Sequence, residues 1–362
     1  MIALPDRLAA RTLELVDIPS ASGHEEDVRR HLLDLVPPRL KLEFAGDEAY
    51  LFVPERRSGA PLVVLAGHYD TVPAQGNLPG RLEKDVVHGL GASDMKGGLA
   101  VAIEVVRDLA EREPGPYDVG LLLFGREELP AVHNPLPALF EGSRAVHETD
   151  LAVLLEPTDG ALEAGCLGNV VARITAHGTS GHSARPWLAD SALARIVEVL
   201  DPLFSHPQRE VVVEGLSFVE TLSVTQLHAG IADNVIPGEA TATLTLRYAP
   251  DRTPEEAEAE LRALVPDGVE LEIVGNAPPG RVVVDAPLVA ALRVAGAHDV
   301  RSKQAWTNVA DFTSNGIDAV NFGPGHTALA HRRDEHVEVA ALVHAYRTLR
   351  RFLTGTMRED AA

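Results

Sequence analysis

The sequence lacks most features that mark secreted, membrane-inserted or nucleic-acid-binding proteins. It has one cysteine, Cys166, so it can form no internal disulfide bond and no cysteine-based zinc cluster. Lys and Arg number 32 against 53 Asp and Glu, a formal net charge of −21, and such a surface repels phosphate backbones and anionic lipids. No apolar run approaches the ~18 residues of a membrane span. We therefore expect a cytoplasmic protein with neither a nucleic-acid nor a membrane partner.

Aromatic residues are scarce as well, at 4%, but 45% of the residues are hydrophobic. This composition is typical of a folded globular enzyme and not of a disordered or fibrous chain. A length of 362 residues favours one large α/β unit or two domains that share a site. Segment 1–20 mixes Asp, Arg and Glu into a helical apolar stripe, so we expect no signal peptide.

The pattern of apolar residues changes twice along the chain. Up to about residue 165, short apolar runs such as PLVVLAG, DVGLLLF and LAVLLEP alternate with helical patterns. This predicts a three-layer α/β domain whose mostly parallel strands are covered on both faces. Alternating strands typical of an α+β open sheet follow, among them FVETLSVTQL, which we predict to be an edge strand of the inserted domain, and the α/β pattern then returns. We predict a discontinuous domain of residues 1–170 and 284–362, interrupted by an inserted domain of residues 171–283.

Acidic and histidine residues lie at the ends of the predicted strands and in the glycine-rich stretch HGLGASDMKGG. They are His68, Asp70, Asp94, Glu127, Glu128, Glu156, His326 and His331. Ligands of such folds bind outside the carboxyl ends of parallel strands, so these side chains are expected to converge.

Converging carboxylates repel one another unless a cation neutralises them, so this set predicts a metal site. One ion would leave some acids unpaired, whereas two ions that share a bridging carboxylate account for their number. Such pairs serve hydrolysis by activating water and polarising a carbonyl. A single residue of this kind is usually a solvated loop residue, and DMKGG alone could be a helix cap with a glycine turn. The prediction therefore rests on the whole set.

Several motifs, in their order, resemble those of the M20 di-zinc amidohydrolases and peptidases over nearly the whole chain. They are GHYDTVP, GASDMKGG, the Glu127–Glu128 pair, EPTDG, GHSARP, DNVIPGEA, LRY and GPG…AH…DE. The resemblance implies a three-layer α/β/α zinc-peptidase-like catalytic domain with an inserted ferredoxin-like α+β domain for dimerisation and closure. The phrases LLEPTDGALEAGCLGN and NFGPGHTALAHRRDEH are most similar to the desuccinylases within the family. They imply hydrolysis of N-succinyl-L,L-diaminopimelate, a small dicarboxylate amide.

The resemblance also implies that two divalent ions are bound and that they share one aspartate. They are most often zinc, with cobalt or manganese as substitutes. His68, Asp94 and Glu156 would hold the first ion. Asp94, Glu128 and His331 would hold the second.

Two further acids receive roles from the resemblance. Glu127 would be the general base, taking a proton from the attacking water and passing it to the leaving amine. Asp70 would orient His68 through its other ring nitrogen. The peptide after Asp94 is typically cis in the family, and flanking glycines allow the tight turn.

One ligand assignment has a rival close by in the sequence. His326 lies five residues before His331, but the family pattern GPG…AH favours His331. Segment 129–141 departs from the family pattern, so the pocket wall there is not predicted.

The inserted domain would add substrate-binding groups. His182 would reach across a dimer interface to the scissile carbonyl oxygen of the partner's substrate, which implies a homodimer through residues 171–283. The alternative is a histidine that caps the following helix. Asn234 and Arg247 match family positions that bind carboxylates or the oxyanion, and Arg185 is a weaker candidate because the family varies there. An arginine in a strand is otherwise commonly a surface charge, but guanidinium suits a dicarboxylate.

Other functions stay open at this point. The same chemistry could act on an N-acetyl amino acid such as acetylornithine, a carbamoyl amino acid or a dipeptide, or as a metallo-carboxypeptidase. A metal-binding scaffold without turnover is a hypothesis of another class, and the full set of ligands and Glu127 disfavour it. A serine hydrolase is a further option, but no G-x-S-x-G elbow occurs.

Overall fold

The computed structural model describes residues 2–356. It divides into two compact units. The first contains the described residues up to Ala164, Val283–Arg301, and the described residues from Asp311 onward. The second contains Gly165–Val282 and Ser302–Ala310. The roles predicted for the inserted segment 171–283, dimerisation and closure, stay predictions.

The helices and strands alternate along much of the chain, so the predicted α/β class is confirmed. The helices are α1 (Leu4–Val16), α2 (Glu26–Leu35), α3 (Gly97–Ala110), α4 (Leu136–Gly142), α5 (Ala192–Phe204), α6 (Pro254–Leu264), α7 (Pro287–Ala295), α8 (Val309–Ser314) and α9 (Val339–Thr354). The strands are β1 (Lys41–Gly46), β2 (Ala49–Val53), β3 (Leu62–His68), β4 (Arg81–Glu83), β5 (Val86–His88), β6 (Asp118–Phe124), β7 (Thr149–Leu154), β8 (Leu162–Cys166), β9 (Gly168–His177), β10 (Gly181–His182), β11 (Arg209–Val213), β12 (Leu216–Ala229), β13 (Val235–Ile236), β14 (Glu239–Tyr248), β15 (Glu270–Ala277), β16 (Val300–Lys303), β17 (Asp318–Asn321) and β18 (His336–Glu338). No helix among these is both long and apolar enough to cross a bilayer.

The large sheet of the first unit has the strand order β1-β2-β6-β3-β7-β17-β8-β16. Its centre is parallel, because β3 pairs in parallel with β6 and β7, and β17 pairs in parallel with β7. The β1–β2, β2–β6 and β8–β17 pairs are antiparallel. Every residue of β3 is buried, as expected for a central strand covered on both faces.

The register of the parallel strands brings several loops to one edge of the sheet. His68 at the end of β3 is level with Phe124 at the end of β6, and Ala66 of β3 is level with Leu154 at the end of β7. Asn321 at the end of β17 is level with the same Leu154. The loops that leave these four strands therefore start at one edge, where such sheets bind ligands.

The second unit is built on an antiparallel sheet with the strand order β11-β12-β14-β9-β15. Alternate residues of β14 are buried, and the apolar face of the sheet forms one core with α5 and α6. The segment FVETLSVTQL, which we predicted as an edge, lies in β12. Within β12, only residues 221–229 lack a partner strand on the outer side in the described part of the chain, because β11 pairs with residues 216–220.

Candidate metal centre

The loops at the strand ends bring together one histidine and two acids. His68, Asp94 and Glu128 each offer a ligand atom within 4.8 Å of the others. The imidazole of His68 is 1% exposed, and its Nε2 lies 3.2 Å from Oδ1 of Asp94. Imidazole nitrogen and carboxylate oxygen are ligands that suit zinc and similar divalent ions. These three side chains can therefore hold a metal ion.

Asp94 lies between two histidines that come from distant parts of the sequence. Its Oδ1 faces His68, while its Oδ2 lies 3.7 Å from Nε2 of His331. Glu156 approaches His68, with 3.9 Å between Oε1 and Nε2. Glu128 approaches His331, with 2.9 Å between Oε1 and Nε2. The five predicted ligands thus form two groups that share Asp94.

The glycine-rich segment around Asp94 explains how this aspartate reaches its place. Residues 92–96 form a helical turn in which Asp94 has non-helical angles, φ −124° and ψ 94°. Gly91 has φ +78°, a left-handed conformation that glycine adopts without strain. A Cβ at Gly98 would stand 2.2 Å from the carbonyl oxygen of Leu155, so only glycine fits where α3 begins. The peptide bond between Asp94 and Met95 is cis, as we predicted.

Asp70 is buried behind His68. The imidazole Nδ1 lies 3.4 Å from Oδ1 of Asp70 and 3.1 Å from its carbonyl oxygen. The same carboxylate accepts hydrogen bonds from the backbone N–H groups of Glu127 at 3.0 Å and Glu128 at 3.1 Å. The Ser22 hydroxyl donates to it at 2.6 Å. Burial would raise the pKa of Asp70, but the hydrogen bonds from His68, Ser22 and the backbone outweigh it and lower the pKa.

The charges at this edge are poorly balanced within the protein alone. Burial raises the pKa of Glu127 well above its usual range; His68 opposes the rise, and Glu156, Glu128 and Asp94 add to it. Burial would lower the pKa of His68, but hydrogen bonds with Asp70 and Asp94 raise it well above its usual value. Carboxylates crowded in this way are stabilised by cations, so the donor set fits divalent metal ions.

His331, and not His326, lies beside Asp94 and Glu128. Its side chain is about half exposed, and the hydrogen bond with Glu128 raises its pKa to about 8. The imidazole Nδ1 of His326 instead lies 3.1 Å from Oδ1 of Asp159.

The predicted substrate-binding residues all lie in the second unit. His182 is exposed in β10, and its Nδ1 accepts a hydrogen bond from the backbone N–H of Ala184. It does not cap α5, because Ser191 does so. The carbonyl of Asn234 accepts from the N–H of Ser183, in the segment that pairs β10 with β13. Arg185 follows two residues after Ser183 and is exposed.

Arg247 lies inside the sheet of the second unit. Its neighbours in register are Thr221 of β12 and Asn169 of β9. Burial lowers the pKa of its guanidinium, and no ion pair joins it to a carboxylate among residues 2–356. An arginine in such a place can bind an anionic group that does not belong to the chain.

Comparison with known proteins decides the family. A model of peptidase family M20/M25/M40 matches residues 64–355. The chain belongs to this family. This M20 chain is 38% identical over 354 residues to a Mycobacterium tuberculosis protein provisionally described as a succinyl-diaminopimelate desuccinylase, covering 95% of this chain and 97% of that one. It is 35% identical over 356 residues to a Corynebacterium glutamicum succinyl-diaminopimelate desuccinylase, covering 95% of each.

Solved structures resemble the M20 chain in fold at low sequence identity. One is a Bacillus subtilis protein described as a dinuclear metal-binding peptidase of the M20 family. It superposes with a TM-score of 0.70 at 15% identity, over 97% of this chain and 98% of that one. This likeness supports the α/β fold of the M20 chain.

Two side chains of the centre were not predicted from the sequence. The carboxylate of Glu335 is buried and accepts backbone hydrogen bonds around Asp94, and the Ser22 hydroxyl contacts Asp70. Glu335 is the last residue of the motif GPG…AH…DE. The resemblance gave it no role, and an acid in that position could have been taken as a signal of one. Ser22 had no such signal, because it lies 48 residues before Asp70 in the sequence.

Proposed function

We propose that this M20 chain hydrolyses the succinyl amide of N-succinyl-L,L-diaminopimelate, giving succinate and L,L-diaminopimelate, with two divalent metal ions, preferably zinc. The position of Asp94, with one oxygen toward His68 and the other toward His331, carries the metal part of the proposal. The desuccinylases to which the chain is 38% and 35% identical support the substrate. The dinuclear Bacillus subtilis peptidase supports two ions.

The same five side chains would hold the ions. His68, Asp94 and Glu156 fit one ion, and Asp94, Glu128 and His331 fit the other. When bound, such ions polarise the amide carbonyl and make water more acidic. Asp70 keeps the ring of His68 in place and presents the backbone of Glu128.

Glu127 is the proposed general base. Its carboxylate lies among the other acids of the centre, and its raised pKa suits a group that both accepts and releases a proton. It takes a proton from water as the oxygen bonds to the amide carbon. It then gives the proton to the amide nitrogen as the C–N bond breaks. No nucleophilic side chain is needed for this sequence.

The substrate carries carboxylates at both ends of the molecule. Arg247, which has no carboxylate partner within the described chain, is the proposed clamp for one of them, with Asn234 and Arg185 as further contacts. A chain with a net charge of −21 needs such local cations to hold a dianion. The preference for a dicarboxylate therefore depends on Arg247.

We also propose a homodimer in which His182 acts on the partner's substrate. The outer side of β12 over residues 221–229 supports the dimer, because its backbone groups have no strand partner among the described residues and can pair with a second copy.

A hydrolysis panel tests the function. Purified protein, stripped of metal and reloaded with zinc, is given N-succinyl-L,L-diaminopimelate, N-acetylornithine and simple dipeptides at equal concentrations. We expect the highest kcat/KM for the succinyl compound and no turnover before zinc is added. Faster cleavage of an acetylated amino acid or a dipeptide contradicts the substrate but leaves metal-dependent amide hydrolysis standing. If the protein binds two ions but hydrolyses none of these compounds, the scaffold hypothesis is supported.

A further inference from the structure

Glu335 is a buried acid that does not belong to the proposed set of metal ligands. Its residue is 2% exposed. Oε1 accepts hydrogen bonds from the backbone N–H groups of Ser93 at 3.0 Å and Asp94 at 2.9 Å, and Oε2 accepts one from Gly91 at 3.0 Å. A buried carboxylate requires donors of this kind. The three N–H groups thus converge on one anion supplied by the chain itself.

The three donors belong to the turn that presents Asp94. Within this turn Asp94 departs from helical angles, so its orientation depends on what fixes the surrounding backbone. The hydrogen bond to Glu335 fixes the N–H of Asp94 itself. A change at Glu335 is therefore transmitted to the carboxylate of Asp94 through a single residue's backbone.

Glu335 also lies four residues after His331, in the segment that carries the second histidine of the centre. Backbone contacts at and just after Glu335 also join this segment to the chain shortly before Asp94. The carbonyl of Glu335 accepts from the N–H of Gly89 at 3.0 Å, and β18 pairs with β5 immediately afterwards. One residue thus connects the two segments that bring Asp94 and His331 together.

We propose that Glu335 is a positioning residue that sets the distance between Asp94 and His331, and with it the affinity for the ion that these residues share with Glu128. The inference rests on the proposed metal centre. A purely structural role for Glu335 would lower stability and leave the affinity for metal unchanged, so the two roles can be separated by measurement.

The variants are Glu335→Gln and Glu335→Asp, with Asp334→Asn as the matched control. Glutamine keeps the size of the side chain but replaces one acceptor oxygen with a donor, which cannot bond to an N–H group. Aspartate keeps the charge but is one methylene shorter. Asp334 is the neighbouring acid, is exposed, and pairs with Arg332 at 2.8 Å, so its change removes an equal charge without touching the turn.

Metal-free wild type and variants are titrated with Zn²⁺ by calorimetry and with Co²⁺ by visible absorption, and folding is checked by circular dichroism and Tm. We expect Glu335→Gln to bind the ion near His331 about 10- to 100-fold more weakly, the range for residues that orient metal ligands, and the ion near His68 with a smaller loss because Asp94 contributes to both. Glu335→Asp should show a smaller loss, and Asp334→Asn none. In turnover, the metal concentration for half-activation should rise, with KM for the substrate within about twofold of wild type.

Unchanged affinity for both ions in a folded Glu335→Gln variant overturns the inference, even if its Tm is lower. If that variant does not fold, Glu335→Asp decides by the same comparison of affinities. A wild type that binds fewer than two ions refutes the proposed centre itself. That outcome is distinguishable because it appears before any variant is compared.

Discussion

The hydroxyl of Ser22 donates a hydrogen bond of 2.6 Å to the carboxylate of Asp70. We expect Ser22→Ala to lower the free energy of unfolding by about 1.5 kcal/mol, the lower end for a hydrogen bond to a charged group, because the contact is partly exposed. The affinity for metal should fall with it, since Asp70 orients His68. Chemical denaturation and zinc titration measure the two effects.

Ser20 provides the matched control for that change. Its side chain is buried, and its hydroxyl makes no hydrogen bond among the described residues. Ser20→Ala should therefore leave both stability and metal affinity close to wild type. Equal losses in the two variants would mean that the contact with Asp70 has no special importance.

Glu127 and Glu128 are adjacent in the sequence, but we expect their substitutions to have different effects on metal content. Glu127→Gln should keep two zinc ions per chain and lose about 10²- to 10⁴-fold in kcat, the range for a general acid or base. Glu128→Gln should also lose the ion near His331. Metal analysis beside single-turnover kinetics separates them, and equal metal loss in both variants contradicts the assignment of roles.

Arg247 should control the choice of substrate. We expect Arg247→Ala to lower kcat/KM for N-succinyl-L,L-diaminopimelate by about 10- to 100-fold, as for loss of a charged hydrogen bond, while weak activity on N-acetylornithine changes little. Arg173→Ala is the control, because Arg173 lies exposed on the adjacent β9 and pairs only loosely with Glu272 at 3.5 Å. A uniform loss on both substrates would argue against a carboxylate clamp.

His182 should act in trans if the proposed dimer is correct. Homodimers of His182→Ala and of Glu127→Gln should each be inactive, whereas mixed dimers contain one site with both groups intact. We therefore expect up to about half of the wild-type activity per heterodimer. Differently tagged chains purified in tandem provide verified heterodimers, and the absence of any rescue in them rules out a shared site.

The sequence was sufficient to predict the fold class and the residues that meet at the sheet edge. β3, β6 and β7 were recognisable because strands buried on both faces are continuously apolar, and the position of a residue after such a strand determines the edge it occupies. His68, Glu128 and Glu156 follow from that rule. The choice of His331 over His326 came from family likeness, because both lie in the same loop and spacing alone does not distinguish them.

The hydrogen bonds behind the centre could not be predicted in the same way. Ser22 and Glu335 bond to groups 48 and about 240 residues away, and neither contact produces a periodic pattern. Their partners include backbone N–H groups, which every residue except proline has, so the sequence contains no complementary residue type to search for. The partial pairing of β12 was missed for a related reason, since strand order depends on contacts distant in sequence.

The order of the ligands along the chain has a consequence for biosynthesis. His68, Asp94, Glu128 and Glu156 all precede the second unit, whereas His331 follows it, together with the carboxylate that fixes the backbone of Asp94. A growing polypeptide can therefore assemble the ligands for one ion early, but it cannot complete the pair until the second unit and His331 have been made. Loading of the second ion would then report that synthesis has passed the second unit and reached His331.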